Sequence, residues 1–120
     1  PMARPPAQGT DTHLHRLLAP GAPWDEAARS AVLDHAAGRL LRLSRKMLRT
    51  HPALRRWEQT DDVLQNALLR LHRAIAATRP TTERDFINLA ATQIRRELKD
   101  LFRHHYGPAG HAFHHKSDPG

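Results

Sequence analysis

The sequence contains no cysteine, few aromatic residues and no long apolar run, and each absence excludes a class of structure. Without cysteine, the chain has no disulfide, thiol nucleophile or thiolate metal site. Aromatic residues make up only 5% of the 120 residues, so the core has to consist of Leu, Ala, Ile and Val. No segment approaches the roughly 20 apolar residues that cross a bilayer, and no apolar signal-peptide run opens the chain. We therefore expect a soluble, cytoplasmic, helical domain without a membrane partner.

Basic residues outnumber acidic ones. Lys and Arg number 19 against 12 Asp and Glu, which gives a net charge of +7 with histidine neutral. This balance favours a polyanionic partner, although excess charge also keeps small proteins dispersed. Seven of the basic residues lie between His35 and Trp57, where there is no acid. This segment predicts a concentrated positive region, which is either a solvated face or a nucleic-acid-binding one.

Helical periodicity occurs in four segments, and no strand pattern or internal repeat accompanies it. Capping residues and proline or glycine stops set the bounds, with Asp11 or Thr12 before the first helix and Thr60 as the N-cap of the third. The predicted helices cover residues 13–19, 25–50, 60–78 and 83–105. The sequence thus predicts an all-α fold, a compact bundle of three main helices plus a short N-terminal helix.

The two ends of the chain lack this periodicity. Residues 1–10 hold three prolines and few large apolar side chains, which predicts a flexible arm, and residues 107–120 predict a flexible tail. The helical domain is expected to span residues 11–106. Pro1 ahead of Met2 and the unstructured ending favour a domain cut from a longer protein over a natural single-domain form.

Two helices have an unusual outer face. The third predicted helix turns Val63, Ala67, Leu71 and Ala74 inward, and this apolar face is widened by Leu64, Leu68 and Ile75. Leu69 falls in the middle of the polar face, as an isolated exposed leucine or as part of a partner surface. In the last helix, the predicted buried stripe consists of Ile87, Ala91, Ile94, Leu98 and Leu101. A narrow arc on its opposite side, suited to lie along phosphates, holds Thr92, Arg96, Lys99 and Arg103.

Catalytic and metal-binding patterns are weak. The acids Asp61 and Asp62 stand at a helix start, where the helix dipole explains them, and there is no nucleophile elbow and no phosphate-binding glycine loop. We therefore expect no enzyme and no cofactor. The metal-like feature is a histidine-rich end, and because three of its five members lie in the predicted tail, we expect no fixed metal site. Its members are His104, His105, His111, His114 and His115.

Three binding functions fit this pattern. A duplex-DNA-binding transcriptional repressor with a helix-turn-helix is one, although the connection at residues 78–83 is long for that motif. A helical adaptor that binds protein only is another. The third follows from two segments with a specific residue pattern.

Residues 60–71 read TDDVLQNALLRL and residues 86–101 read FINLAATQIRRELKDL. The first segment resembles the core-polymerase-binding helix of bacterial sigma factors, with its acidic pair, its glutamine and its Arg-Leu. The second resembles the promoter-opening and promoter-reading helix of the same domain. Together they resemble region 2 of the extracytoplasmic-function group of sigma factors, over about Asp25 to Tyr106. The resemblance implies a compact helical domain that binds core RNA polymerase and recognises and helps melt the promoter element just upstream of the start site.

The resemblance also implies two sets of contact residues. Those that would meet the clamp helices of the largest polymerase subunit are Asp61, Asp62, Gln65, Asn66, Leu69 and Arg73. Those that would bind promoter DNA, chiefly its non-template strand, are Arg79, Arg84, Asn88, Thr92, Arg95, Arg96, Lys99 and Arg103. The loop at residues 79–84 would capture a flipped base. An anti-sigma factor is a further partner that the family implies.

The chain departs from the family pattern at several positions. Asn66 replaces an acid often found there, Arg96 replaces a common asparagine, and Leu89 stands where many relatives carry tryptophan. The promoter sequence of relatives is therefore not carried over. Nothing after Tyr106 can form the second, helix-turn-helix domain of this group, so the chain is expected to bind polymerase but to initiate poorly.

Overall fold

The computed structural model describes residues 12–55 and 58–106, which are helical apart from short connections. Within these ranges no strand occurs, and the predicted all-α fold is confirmed. The segments predicted as a flexible arm and tail, and the capping candidate Asp11, lie outside the described residues. The helices are α1 (Thr12–Leu18), α2 (Glu26–Arg49), α3 (Pro52–Arg55), α4 (Thr60–Thr78) and α5 (Glu83–Tyr106). None of them is long and apolar enough to cross a membrane.

Side-chain caps fix the starts of two long helices. The Asp25 carboxylate accepts a hydrogen bond from the Ala28 N–H at 2.9 Å and begins α2. The Thr82 hydroxyl accepts one from the Asp85 N–H at 3.0 Å and begins α5. The predicted helices begin at residue 25, which is the first of these caps, and at residue 83, directly after the second, so local chemistry sets where the two helices begin.

The start of α4 differs from the prediction. Thr60 was predicted as its N-cap, but the N-cap is Gln59, whose side chain makes no capping hydrogen bond, and Thr60 is the first helical residue. This prediction was wrong by one position. In place of a side-chain cap, Asp61 and Asp62 in the first turn put negative charge beside the positive end of the helix dipole.

Helix α3 was not predicted, because a single turn carries no periodicity. It begins at Pro52, a residue suited to the first helical position since its missing N–H is not needed there. Leu54 at its centre is fully buried against Leu48, Val63 and Leu98. The short turn thus closes one end of the bundle.

The core lies where α2, α4 and α5 pack together, with α1 covering one end. It consists of Leu, Ala, Ile and Val with one aromatic ring, Phe86, which is fully buried. Burying one such large side chain contributes about 1.5–3 kcal/mol. In α4 the buried residues Val63, Ala67, Leu71 and Ile75 all belong to the predicted apolar face, of which Ala74 is only half-buried.

The buried stripe of α5 is rotated relative to the prediction. Ile94 and Leu98 are buried as expected, but Ile87, Ala91 and Leu101 are only half-buried. The remaining buried positions are Phe86, Ala90, Gln93, Glu97 and His105. Two of these polar side chains have partners outside α5: Glu97 pairs with Arg70 on α4, and His105 pairs with Glu58 in the connection between α3 and α4.

One of these partners is Arg70 on α4. Its Nε donates to Glu97 Oε1 at 3.1 Å, and its Nη2 donates to Asp100 on the next turn of α5. The hydrogen bond to Asp100 is the main cause that raises the pKa of Arg70 above its ordinary value. Arg70 therefore joins α4 to α5 as a permanent cation.

The end of α5 is joined to the α3 region by two further contacts. His105 Nε2 lies 2.8 Å from Glu58 Oε2, and both side chains are largely buried. The Tyr106 hydroxyl donates to the Ala53 carbonyl at 2.7 Å. These contacts hold the last turn of α5 against the connection between α2 and α4.

Candidate functional site

Arg79 is the residue on which the α4–α5 connection is built. It is the C-cap of α4, with a left-handed backbone (φ 54°), and its N–H donates to the Ile75 carbonyl at 3.0 Å. Its guanidinium lies over the Trp24 ring. The guanidinium nitrogens donate at 3.0–3.2 Å to the backbone carbonyls of Leu18, Ala19, Ala22 and Pro80.

These hydrogen bonds show that the Arg79 side chain stabilises the fold. Its sequence-predicted place was among the DNA-binding residues, but its donors point into the protein, so we do not keep it in that set. Pro80 is buried, and Glu83 forms an ion pair with Arg39 on α2. The connection is thus fastened at both ends, while Arg84 beyond it is exposed.

The outer surface of α4 carries all the residues predicted to bind polymerase. Each of them is exposed, and Leu69 keeps 60% of its surface in solvent. They are Asp61, Asp62, Gln65, Asn66, Leu69 and Arg73. The exposure of Leu69 confirms the prediction made from its polar surroundings. We call this surface the α4 face.

A groove of about 460 Å³ runs between the α4 face and α2. On one side it is lined by Asp61, Gln65 and Leu69 of the α4 face. On the α2 side it is lined by two small residues, Ala37 and Gly38. The other lining residues are Leu41, Leu64 and Leu68. Sequence reasoning missed the α2 contribution. The available signal was the pair of adjacent small residues on an otherwise basic helix.

A second groove, of about 550 Å³, lies on α5 and near the end of α2. Four predicted DNA-binding residues line it, Thr92, Arg95, Arg96 and Lys99, so the structure brings this half of the set together. Two residues that were not predicted complete the lining, His51 and Phe102. We call this site the α5 groove.

The other predicted DNA-binding residues do not line the α5 groove. Arg84 and Asn88 are exposed on the first half of α5, and Arg103 is exposed beyond the groove, where it donates to Asp100 at 3.2 Å. Within the groove, Thr92 bonds to the Asn88 carbonyl and accepts from Arg95 at 3.3 Å. This contact orients one of the three cations.

The histidine-rich end is only partly within the structure. His104 and His105 belong to α5, whereas His111, His114 and His115 lie outside the described residues. In residues 12–55 and 58–106, no three His, Cys, Asp or Glu side chains are placed to hold a metal ion. His105 instead pairs with Glu58.

The fold and the grooves together define a helical domain with two separate exposed surfaces, one with acidic residues around an exposed leucine and one basic. The family model described as Sigma-70 region 2 matches residues 32–106, and the chain belongs to this family. The family is a non-enzymatic transcription factor domain with a role in transcription initiation, which implies interaction with core RNA polymerase and promoter DNA. No curated protein and no solved structure matches the chain at a significant level.

Proposed function

We propose that this domain is region 2 of an extracytoplasmic-function sigma factor, which binds core RNA polymerase through the α4 face and promoter DNA through α5. The observation that carries this proposal is Leu69. A leucine that keeps 60% of its surface in solvent, in the middle of acidic and amide side chains and beside a groove, is typical of a partner-binding surface.

The chemistry of the α4 face defines its partner. Leu69 and the apolar floor of the groove favour an apolar side chain, while Asp61 and Asp62 favour basic groups around it. Gln65 and Asn66 add amide donors and acceptors. A helical partner with an apolar ridge flanked by Arg or Lys meets these requirements, and the clamp helices of the largest polymerase subunit are our proposed occupant.

The chemistry of α5 supports a DNA partner. Arg95, Arg96 and Lys99 line one groove whose lining includes no carboxylate. Such a cluster attracts phosphates and releases their counterions. Arg84, Asn88 and Arg103 extend the polar surface along the same helix. We propose that this surface holds the non-template strand as the promoter opens.

Binding to core RNA polymerase tests the α4 face. The purified domain is immobilised, and saturable capture of core polymerase is measured at moderate salt for the wild type, Asp62→Ala and Gln65→Ala. Both variants remove exposed side chains, so the fold is expected to survive and the affinity to fall about tenfold. The matched control is Glu26→Ala, which removes another exposed acid from the first turn of a helix.

Each outcome is informative. Loss in Asp62→Ala and Gln65→Ala with normal capture by Glu26→Ala supports the assignment. Equal capture by all four proteins contradicts the role of the α4 face. No capture by the wild type contradicts the proposed function and favours a helical adaptor for another protein or a duplex-DNA repressor.

A further inference from the structure

Phe102 is a large aromatic side chain that the core does not use. It lies on the last third of α5 and keeps 46% of its surface in solvent. Its ring stacks on Tyr106 with 5.0 Å between centroids and 27° between planes. Because the Tyr106 hydroxyl is bonded to the Ala53 carbonyl, the ring beneath Phe102 is itself held in place. Phe102 is thus an exposed ring with a fixed support.

The surroundings of Phe102 are positively charged. The α5 groove joins its ring to Arg95, Arg96 and Lys99, with one of these cations a single helical turn away at Lys99. The nearest acid along the helix, Asp100, is bonded to Arg70 and Arg103. An aromatic plane among cations is the combination that holds single-stranded nucleic acid, since the ring stacks on a base and the cations meet phosphates.

His51 adds a hydrogen-bonding imidazole to the lining of the α5 groove. Its Nδ1 lies 3.1 Å from the Met47 carbonyl and 3.0 Å from the Thr50 hydroxyl. A carbonyl oxygen only accepts, so this contact fits the tautomer that carries its proton on Nδ1, and in that tautomer Nε2 is the acceptor. An acceptor at this place suits the amino group of an adenine, cytosine or guanine base.

We propose that the α5 groove is a base-stacking site for one unstacked nucleotide of single-stranded DNA. Phe102 provides the stacking surface, Arg95, Arg96 and Lys99 meet the flanking phosphates, and His51 accepts from the base edge. This inference rests on the proposed function and names a site apart from the loop at residues 79–84. A groove of about 550 Å³ has room for a base and its sugar.

The test measures how much the bases of the DNA contribute to its affinity, and how much of that contribution depends on the Phe102 ring. Fluorescence anisotropy measures binding of the full chain to a labelled single-stranded oligonucleotide and to the same oligonucleotide with abasic sites. The two probes have equal charge, so phosphate contacts cancel. The wild type is expected to bind the normal probe about tenfold more tightly.

Two substitutions at one position separate stacking from bulk. Phe102→Leu keeps an apolar side chain but removes the plane, and is expected to lose the preference for the normal probe. Phe102→Tyr keeps the plane and is expected to retain it. Because Phe102 is half exposed, both variants should fold, which circular dichroism checks. The abasic comparison on the wild type needs no variant at all.

Three results would overturn the inference. The first is equal binding of both probes by the wild type, and the second is an undiminished preference in Phe102→Leu. The third is equal affinity for duplex and single strand, which means that the groove contacts the backbone only. None of these alters the capture of polymerase by the α4 face, so failure of the stacking site and failure of the proposed function are distinguishable.

Discussion

Arg79 and Trp24 hold each other in place, with the guanidinium carbon of Arg79 4.1 Å from the centroid of the Trp24 ring. The Trp24 indole N–H in turn donates to the Ile75 carbonyl at 2.9 Å, one turn before Arg79. The α4–α5 connection is therefore fastened to the turn between α1 and α2. A cation over an indole with four carbonyl acceptors is a site that only arginine satisfies.

Replacing Arg79 by lysine is expected to destabilise the fold. Lysine keeps the charge but cannot reach four carbonyls in the fork geometry of a guanidinium, so the free energy of unfolding should fall by about 2 kcal/mol. Urea unfolding followed by circular dichroism measures the change. Arg84→Lys, which changes an exposed arginine in the first turn of α5, is the control and should match the wild type. Equal stability of Arg79→Lys and wild type would show that the carbonyl contacts contribute nothing.

Removing Arg70 is expected to leave a carboxylate without its partner. The Glu97 side chain is only 9% exposed, so Arg70→Ala should lower the free energy of unfolding by about 2 kcal/mol. Arg70→Ala combined with Glu97→Ala should recover part of the loss, because the unpaired charge is gone. Thermal unfolding of the four proteins of this double-mutant cycle measures the coupling. Strict additivity would contradict the pairing.

Ser44 predicts a stabilising substitution. It is fully buried on α2, and its hydroxyl has no hydrogen-bond partner within residues 12–55 and 58–106. Because an unsatisfied buried hydroxyl costs about 1–3 kcal/mol, Ser44→Ala should raise the free energy of unfolding by about 1 kcal/mol and Tm by several degrees. The reverse change at a buried alanine of the same helix, Ala36→Ser, should lower it. A lower Tm for Ser44→Ala would mean that the hydroxyl is satisfied.

The α5 groove predicts a change in salt dependence. Arg96→Ala and Lys99→Ala each remove one cation, so each should weaken single-stranded DNA binding and reduce the slope of log affinity against log salt by up to about 1. Titrations over a range of salt concentrations measure the slope. Arg16→Ala, an exposed arginine in the last turn of α1, is the control. An unchanged slope in the double variant Arg96→Ala/Lys99→Ala would contradict the binding of DNA in the α5 groove.

Local signals predicted the helices well. Asp25 and Thr82 each cap within their own segment, so neighbouring residues suffice to place the helix starts. Leu69 was identified because an apolar residue among polar ones at helical spacing has to face solvent. The four-residue α3 escaped prediction because nothing in one turn distinguishes a helix from a loop.

Residues whose environment depends on distant segments were harder to predict. From the sequence alone, Glu97 would be expected on the surface of α5. It is buried because Arg70 of α4 pairs with it. Arg79 reads as a loop cation, and its acceptors at Leu18 and Ala22 lie in another part of the sequence. Phe102 was overlooked because the groove that it lines is completed by His51, which follows α2 and is distant in the sequence.

The bonds from Arg70 to Glu97 and Asp100 fix the distance between α4 and α5, the two helices that they join. In the proposed function, these contacts would hold a partner bound to α4 and a DNA strand bound to α5 at the spacing of the two packed helices. Changes to that spacing have to come from the α4–α5 interface itself, through the side chains that separate the two helix axes. In the proposed function, the position of the DNA relative to the polymerase therefore depends on how α4 packs against α5 in the core.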